Sequence, residues 1–395
     1  MPMKTLLDDA TAEREWIVAI RRELHRFPEL GYQEVKTSQL IRKTLEDLGI
    51  PYRHPIAETG VLATLGDGQG PCVALRADMD ALPICEQTDV PFRSAIEGKM
   101  HACGHDCHVA MLLGAAKILK RREAEIRGTV KLLFQPAEEG GAGGLRMCQE
   151  GALDAPNVQR IFALHVWPTL PSGQIGSRAG TLLASAGSLS ITVTGKGGHA
   201  AMPQMSCDPV VTAAKIVCEL QTIVSRELDP LDPGVVSITT VHGGEAFNVI
   251  PMQIKMTGTI RSLTAKGMAF LQERVRSIAA HVASANRCEA QTEFLDAYPP
   301  TVNDGHCWEV AQRIGHELLG GSNVQQLLPV MGGEDFSYYT NRIPGCFVAL
   351  GMRNESQGAI YGVHHPMFKA DEDMLPLGSA LHVGFALRSL EELRA

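Results

Sequence analysis

The sequence predicts an α/β protein with a mainly parallel sheet, into which a smaller α+β unit is inserted. Short apolar runs typical of buried strands occupy 60–66, 72–79 and 128–136, and a helical segment at 107–126 separates two of them. This alternation of strand and helix is typical of a parallel sheet with helices on both faces. At 188–197, apolar residues instead alternate with period two, which indicates a half-exposed antiparallel strand.

The elements of the first part follow from local patterns. Apolar residues recur at helical spacing through 13–30, where Pro28 is a plausible stop, and through 37–49, which ends at Gly49. A further buried strand is predicted at 160–166. Ligands of such sheets bind beyond the carboxyl ends of the strands, so we expect functional residues in the loops there.

The inserted unit is predicted over 186–297. Its first strand is followed by a helix at 208–228, two strands, a second helix and a last strand. This order, β-α-β-β-α-β, is the ferredoxin-like arrangement. The chain then returns to α/β character, with a buried strand at 344–351. We therefore predict a discontinuous larger domain built from 1–185 and 298–395.

Composition excludes several classes of partner. The net charge is −8 and no dense block of Lys and Arg occurs, which argues against nucleic acid or an anionic membrane as the main partner. The N-terminal stretch lacks the apolar core of a signal peptide, and no apolar run is long enough to span a membrane. The ten cysteines are scattered, so we expect reduced thiols and a cytoplasmic protein.

The stretch 101–108, HACGHDCH, offers three histidines, two cysteines and an aspartate as possible metal ligands. In extended backbone, side chains two residues apart point to the same side, so Cys103 and His105 can hold one ion. Gly104 permits the sharp turn that a helix start at His105 requires. Two alternatives remain open: Cys107 replaces Cys103 if the stretch is helical, or the segment is only a polar helix N-terminus.

Two adjacent glutamates, Glu138 and Glu139, follow the buried strand that ends at Gln135. Neighbouring side chains in extended backbone diverge, so we expect one glutamate to bind metal and the other to act as general base. A solvated acidic loop is the alternative. The position at a sheet end, before a glycine-rich turn, favours the site.

Three further histidines are candidate ligands. His165 ends an apolar run, where it is either a ligand or a satisfied core residue, and His364 and His365 lie in tandem before a proline. The five donors are Cys103, His105, Glu139, His165 and His364. Five are too many for one tetrahedral zinc with an open position. If one donor bridges, two ions receive three contacts each and can share a water, whose proton Glu138 accepts while the metals stabilise the oxyanion.

Ten ordered motifs carry a resemblance to a known family. They are RRELHRFPELGYQE, LRADMDALPI, HACGHDCH, QPAEEG, ALHVWP, GKGGHAAMP, NVIP, GTIRS, MGGEDFSYY and VHHPMF. Through them the chain resembles the M20 metallopeptidases, and in particular their amidohydrolase branch of hippurate hydrolases, N-acyl-amino-acid deacylases and auxin-conjugate hydrolases. The resemblance implies the five donors as metal ligands, with the Cys103 thiolate bridging and Glu138 as base.

The resemblance also implies roles close to the metals. Asp80 matches an aspartate that orients a ligating imidazole, here that of His105. Asp78 stands where other branches carry a histidine ligand, and it is kept outside the ligand set. His365 replaces the Ser or Thr that usually follows the last ligand, so His365 remains a candidate beside His364.

For the inserted unit, the resemblance implies a role as lid and dimerisation domain. His199 is similar to a family histidine that reaches a neighbouring subunit's site and supports the oxyanion. Asn248 and Arg261 are similar to residues that hold the substrate's carboxylate; without the resemblance they are a turn residue and a solvated strand end. Glu334 and Asp335 are expected to shape the site or cap a helix.

The expected function is metal-dependent hydrolysis of the amide bond of N-acetyl or N-aroyl amino acids, which releases a carboxylic acid and a free amino acid. Two divalent ions are implied (zinc, manganese, cobalt or nickel), together with a small-molecule substrate and a homodimer or higher homo-oligomer. Alternatives are an M20-type exopeptidase for short peptides, and a non-catalytic homologue that binds amino-acid conjugates. A thiol catalyst using Cys103 and Cys107 is a further alternative, which predicts activity that survives chelation.

Overall fold

A computed structural model describes residues 3–66 and 68–394. The chain forms two compact units. The larger contains the described parts of Met1–Leu182, Val302–Leu328 and Asp335–Ala395, and the smaller contains Leu183–Thr301 and Pro329–Glu334.

The larger unit is built on an eight-stranded sheet. Its strands are β1 (Tyr52–Ile56), β2 (Gly60–Gly66), β3 (Cys72–Asp78), β4 (Thr129–Gln135), β5 (Arg160–Pro171), β6 (Ile175–Ser177), β15 (Val324–Gln326) and β16 (Gly345–Arg353). The spatial order is β1-β2-β4-β3-β5-β16-β6-β15. The central strands β4, β3, β5 and β16 are parallel, whereas β1 and β2 are antiparallel additions at one edge. The predicted fold class, a mainly parallel α/β sheet, is confirmed.

Seven helices of the larger unit are α1 (Met3–Ala12), α2 (Arg14–Arg26), α3 (Val35–Asp47), α4 (His105–Arg121), α5 (Gly143–Gln149), α8 (Gly305–Leu319) and α10 (Leu375–Arg394), and a short turn of helix forms α9 (Ser337–Thr340). The apolar helix α4 is buried on nearly all sides, as expected of a helix that is hydrophobic all round. It packs against α2, α10 and β3. Such packing holds the N-terminus of α4 rigidly at the sheet.

The smaller unit contains a four-stranded antiparallel sheet of order β10-β12-β8-β13. Its elements are β8 (Ser185–Thr194), β9 (Gly198–His199), α6 (Pro209–Thr222), β10 (Gly234–His242), β11 (Val249–Ile250), β12 (Gln253–Ser262), α7 (Ala265–Ala285) and β13 (Glu289–Tyr298). Alternate residues of β8 pack with α6 and α7 in one core. This is the β-α-β-β-α-β arrangement of ferredoxin-like domains. Two short strands, β7 (Gly180–Leu183) and β14 (Thr301–Asn303), span two of the four positions where the chain passes from one unit to the other.

Three details differ from the sequence-based predictions. Helix α1 was not predicted, although Met3, Leu6 and Ala10 lie on one buried face. The helix predicted over 208–228 ends earlier, because a π-helical turn occupies Ile223–Glu227. The segment Pro329–Glu334 was assigned to the larger domain but belongs to the smaller unit, where the Val330 carbonyl accepts a hydrogen bond from the Ala184 amide (3.1 Å). No helix in the described ranges is both long enough and apolar enough to cross a bilayer.

Candidate metal centre

The candidate site lies where β3, β4 and the start of α4 meet. The sheet register pairs Asp78 with Gln135, so both strands end at the same level. Gly104 has a left-handed backbone (φ 83°), and a Cβ there would lie 2.4 Å from Val166 Cγ2. Only glycine therefore fits the turn that connects Cys103 to the first residue of α4, His105.

The structure brings the five predicted donors together in two groups of three. One group contains Cys103, His105 and His165, and the other contains Cys103, Glu139 and His364; within each group the candidate ligand atoms lie within 4.8 Å of one another. Cys103 Sγ is 3.4 Å from His165 Nε2, and His364 Nε2 is 3.0 Å from Glu139 Oε1. Cys103 is common to both groups.

The two alternative ligands, His365 and Cys107, have other surroundings in the structure. His365 stacks on the Tyr361 ring, and its Nδ1 accepts a hydrogen bond from the Met367 amide (3.0 Å). Cys107 is buried on α4, two residues beyond the helix start. Among the described residues, neither His365 nor Cys107 belongs to a candidate ligand group.

The carboxylate of Asp80 forms hydrogen bonds with one residue of each donor group. Asp80 Oδ1 accepts a hydrogen bond from His105 Nδ1 (3.2 Å), and Asp80 Oδ2 accepts one from the Glu139 amide (2.9 Å). His105 Nε2 is thereby the free ring nitrogen; it is buried and has no hydrogen-bond partner in the described ranges. Asp78 Oδ2 is 3.6 Å away, too far for a hydrogen bond.

The donor set fits a metal ion. His165 Nδ1 donates to the Val166 carbonyl (2.7 Å), which leaves the Nε2 lone pair on the side of Cys103. The unpartnered Nε2 of His105 is available in the same way. Two imidazole nitrogens and a thiol, as in the group Cys103, His105 and His165, are typical metal ligands.

Buried negative charge dominates the electrostatics. Burial raises the pKa of the Cys103 thiol well above its usual value, and the nearby carboxylates of Glu139 and Glu138 raise it further. For His105, burial opposes protonation, but Asp78 and Asp80 prevail and raise its pKa to about 10. Bound cations would compensate this concentration of carboxylates.

Glu138 differs from Glu139 in its surroundings. Glu138 is 6 % exposed, and its Oε1 accepts a hydrogen bond from the Asp335 amide (3.3 Å). Both glutamates lie close to His105, but only Glu139 also joins the group that contains Cys103 and His364. The predicted division of labour is compatible with this placement.

A buried ionic layer beneath the site was missed by sequence reasoning. Arg76 binds Asp78 Oδ2 (2.7 Å) and Asp335 Oδ1 (2.9 Å). Asp78 Oδ1 accepts a hydrogen bond from His108 Nδ1 (2.5 Å), while His108 Nε2 accepts one from the Val166 amide (3.0 Å). Asp78 is thus engaged with side chains, but it also forms a further candidate ligand group with His105 and His108. The available signal was an arginine inside an otherwise apolar strand.

Asp335 and Glu334 have structural contacts. Asp335 accepts hydrogen bonds from the Gln135 side chain (2.8 Å) and from the Gly144 amide near the start of α5 (2.8 Å). The Glu334 carbonyl, in the smaller unit, accepts one from Thr301 Oγ1 (3.3 Å). Asp335 therefore ties the ends of β4 and α5 together beside Glu138.

The smaller unit carries the remaining predicted residues at two distant places. His199 and Asn248 are exposed neighbours: the β9–β11 register pairs His199 with Val249, and the Ala200 amide donates to the Asn248 carbonyl (3.0 Å). Arg261 lies near the other end of β12, paired with Ala186.

The distance between these places follows from the strand. The β9–β11 pair adjoins the end of β12 that begins at Gln253, since the Gly195 amide donates to the Met252 carbonyl (2.9 Å). Gln253 and Arg261 are eight residues apart in β12, which corresponds to about 26 Å in a strand. The structure therefore does not bring Arg261 together with His199 and Asn248 within one copy of this unit.

Three comparisons with known proteins give matches that agree with one another. The sequence profile of peptidase family M20/M25/M40 matches residues 74–388. The IAA-amino acid hydrolase ILR1-like 4 of Arabidopsis thaliana is 46% identical over 385 residues, which cover 96% of this chain and 87% of that protein. The N-acetylcysteine deacetylase of Bacillus subtilis (strain 168) is 40% identical over 384 residues, 96% and 98% of the two chains. A solved Bacillus subtilis structure, a dinuclear metal-binding peptidase from the M20 family, matches with a TM-score of 0.82 and 37% identity and covers 96% and 99%.

Proposed function

The chain belongs to peptidase family M20/M25/M40, and we propose that it cleaves the amide bond of N-acyl amino acids, releasing a carboxylic acid and a free amino acid. The proposal rests on one observation: two groups of three candidate metal ligands share Cys103, and the carboxylate of Glu138 lies beside them. The names of the two relatives describe hydrolysis or deacetylation of amino-acid conjugates, which supports this substrate class.

Two divalent ions fit the donor groups. We assign one ion to Cys103, His105 and His165, and the other to Cys103, Glu139 and His364. When bound, the ions supply positive charge that acidifies a water molecule and stabilises an oxyanion. Thiolate and imidazole suit zinc, whereas carboxylate and imidazole also accept manganese, cobalt or nickel.

Glu138 is assigned as the general base. Its buried carboxylate is held by the Asp335 amide and adjoins His105. It takes a proton from the water whose oxygen attacks the amide carbonyl carbon, and it delivers that proton to the departing nitrogen as the C–N bond breaks. Asp80 acts indirectly, because it holds His105 and the backbone of Glu139.

We assign recognition of the substrate to the smaller unit. His199 Nδ1 accepts a hydrogen bond from the Ala201 amide (3.1 Å), so its exposed Nε2 carries the proton and can donate to an oxyanion. Arg261 suits bidentate binding of a carboxylate. The separation of His199 and Asn248 from Arg261 along β12 supports the proposal that one substrate meets these residues from two copies of the chain, as in a homodimer.

The test is a substrate panel on protein reconstituted with each divalent ion in turn. We expect turnover of benzoylglycine or acetyl-amino acids that exceeds turnover of dipeptides and disappears on chelation. No amide hydrolysis by metal-loaded protein on a broad panel would instead favour a non-catalytic binding protein. Activity that survives chelation would favour the thiol catalyst.

A second candidate function is that of an exopeptidase for short peptides. It is favoured by the peptidase description of the dinuclear structure that resembles this chain. The two candidates share the metal centre and differ in the group on the acyl side of the bond. Faster turnover of dipeptides than of acetyl-amino acids would favour the exopeptidase.

We also propose a cytoplasmic location. All ten cysteines are free thiols, which is typical of proteins in reducing compartments.

A further inference from the structure

The segment 29–34, ELGYQE, has no role in the function described so far, yet it packs against the loop that carries both glutamates. A Cβ on Gly31 would lie 3.1 Å from the Cα of Ala137, so the two backbones are in close contact. The Tyr32 hydroxyl donates a hydrogen bond to the Gly141 carbonyl (2.7 Å). Glu34 Oε1 accepts one from the Ala137 amide (2.9 Å). Three contacts thus join this segment to the loop 136–142, between β4 and α5.

Ala137 is one of two alanines in that loop with a left-handed backbone, the other being Ala142 (φ 52°). At Ala137 φ is 51°, a conformation that costs a residue with a Cβ about 1 kcal/mol or more. Both backbone polar groups of Ala137 are engaged, since its amide donates to Glu34 and its carbonyl accepts from the Gly143 amide (3.1 Å). The direction of the chain at Ala137 determines where the next two side chains, Glu138 and Glu139, point.

The Glu34 side chain is committed to this contact. It is fully buried and makes no hydrogen bond to cap its own helix, α3. Its second oxygen accepts a hydrogen bond from Thr59 Oγ1 (2.7 Å), which orients the carboxyl group toward Ala137. Burial raises the pKa of Glu34 to about 7, although its hydrogen bonds lower it. Burial of an acid costs free energy. The hydrogen bond of Glu34 to the strained backbone of Ala137 gives this burial a structural role.

We propose that Glu34 is a positioning residue, which holds Ala137 in its left-handed conformation and thereby directs Glu138 and Glu139 to different tasks. The inference rests on the proposed function for the roles of the two glutamates, but the contact itself does not. The Ala137 amide requires a side-chain oxygen at position 34 that accepts its hydrogen bond. A negative charge on that side chain is not needed.

The test compares Glu34→Ala with Glu34→Gln in metal-loaded protein. Alanine removes the acceptor, whereas the glutamine side chain keeps an oxygen for the Ala137 amide. Hydrogen exchange measured on peptides that cover 136–144 is expected to be about 10-fold faster in E34A, as for the loss of one buried hydrogen bond. We expect kcat to fall about 10- to 100-fold with little change in KM, since a misplaced catalytic group loses orientation. E34Q is expected to behave like the wild type in both measurements.

Glu29 supplies a matched control on the same segment. Its carboxylate accepts hydrogen bonds from the amides of Lys36 and Thr37 at the start of α3 (3.2 and 3.0 Å). Glu29→Gln is expected to leave exchange over 136–144 unchanged. If E34A does not fold, Thr59→Val replaces it, because that change removes the hydrogen bond that orients Glu34 and is expected to speed exchange in the same peptides.

Wild-type exchange over 136–144 in E34A, or in T59V where E34A does not fold, would overturn the proposal. It would also be overturned if E34Q were as damaging as E34A, since charge and not the acceptor would then matter. A wild-type protein that hydrolyses no amide rejects the proposed function, while the exchange comparison still decides whether Glu34 holds Ala137.

Discussion

Two pairs of candidate residues, His105 and Asp80 in the larger unit and His199 and Asn248 in the smaller unit, differ in burial. In the larger unit, His105 and Asp80 are almost wholly buried, and each is held by a neighbouring side chain or backbone group. In the smaller unit, His199 and Asn248 are exposed. The difference indicates that the metal-binding part is organised before substrate arrives, as precise chemistry requires. Under the proposed function, recognition of substrate falls to these exposed residues, together with residues of a second copy of the chain.

The largest expected effect is that of Glu138→Ala. Removal of the proposed general base should lower kcat about 10²- to 10⁴-fold, while the metal content remains that of the wild type because Glu138 is outside both donor groups at Cys103. Steady-state kinetics and elemental analysis of the same preparation measure both quantities. Loss of metal in this variant would contradict the division between Glu138 and Glu139.

His199→Ala tests the role of the exposed residues in the smaller unit. Loss of the proposed donor to the oxyanion should lower kcat about 100-fold or more, without loss of metal, since His199 belongs to the smaller unit. Mixed dimers of His199→Ala with Glu138→Ala chains should regain part of the activity, because one of their two sites then has both residues intact. Proven mixed dimers that stay inactive would exclude action across subunits.

Arg261→Lys should have a smaller effect, on binding alone. Lysine cannot reproduce the two parallel hydrogen bonds of a guanidinium to a carboxylate, so KM should rise about 10-fold at nearly unchanged kcat. The matched control is a substrate whose carboxylate is converted to an amide. If the variant lowers affinity for this control substrate to the same extent, Arg261 does not bind the carboxylate.

The smallest effect on activity is expected for Glu86→Gln, which probes the buried contact of Glu86 with His25 of α2. Burial opposes ionisation of Glu86, but hydrogen bonds and charge from His25 and the Ser94 amide lower its pKa from 4.5 to about 2. The carboxylate therefore stabilises the fold above pH 4.5, and this contribution is lost as the pH falls toward about 2.

The free energy of unfolding, measured between about pH 5 and pH 3, checks this prediction. It should decrease more steeply in the wild type than in E86Q, by up to about 2 kcal/mol over this range. Parallel curves for the two proteins would show that Glu86 is not preferentially ionised in the folded state.

The difference between local patterns and contacts over long sequence distances explains which features the sequence could predict. Apolar runs identified the parallel strands β3, β4 and β5, and motif residues such as His105 could be named as candidate ligands because each motif is local. The ion pair of Arg76 with Asp335 joins residues 259 positions apart, and no local pattern reveals such a contact. The left-handed backbone at Ala137 was equally hidden, since it depends on a glutamate from a distant segment rather than on a glycine.

The proposed function depends most on Cys103 as the ligand shared by two ions. Elemental analysis of the purified protein and of three variants, Cys103→Ala, His165→Ala and His364→Ala, tests this directly. Two ions per chain are expected in the wild type, about one in each histidine variant, and neither firmly held in the cysteine variant, because only Cys103 contributes to both groups. A folded Cys103→Ala protein that retains both ions would contradict the account.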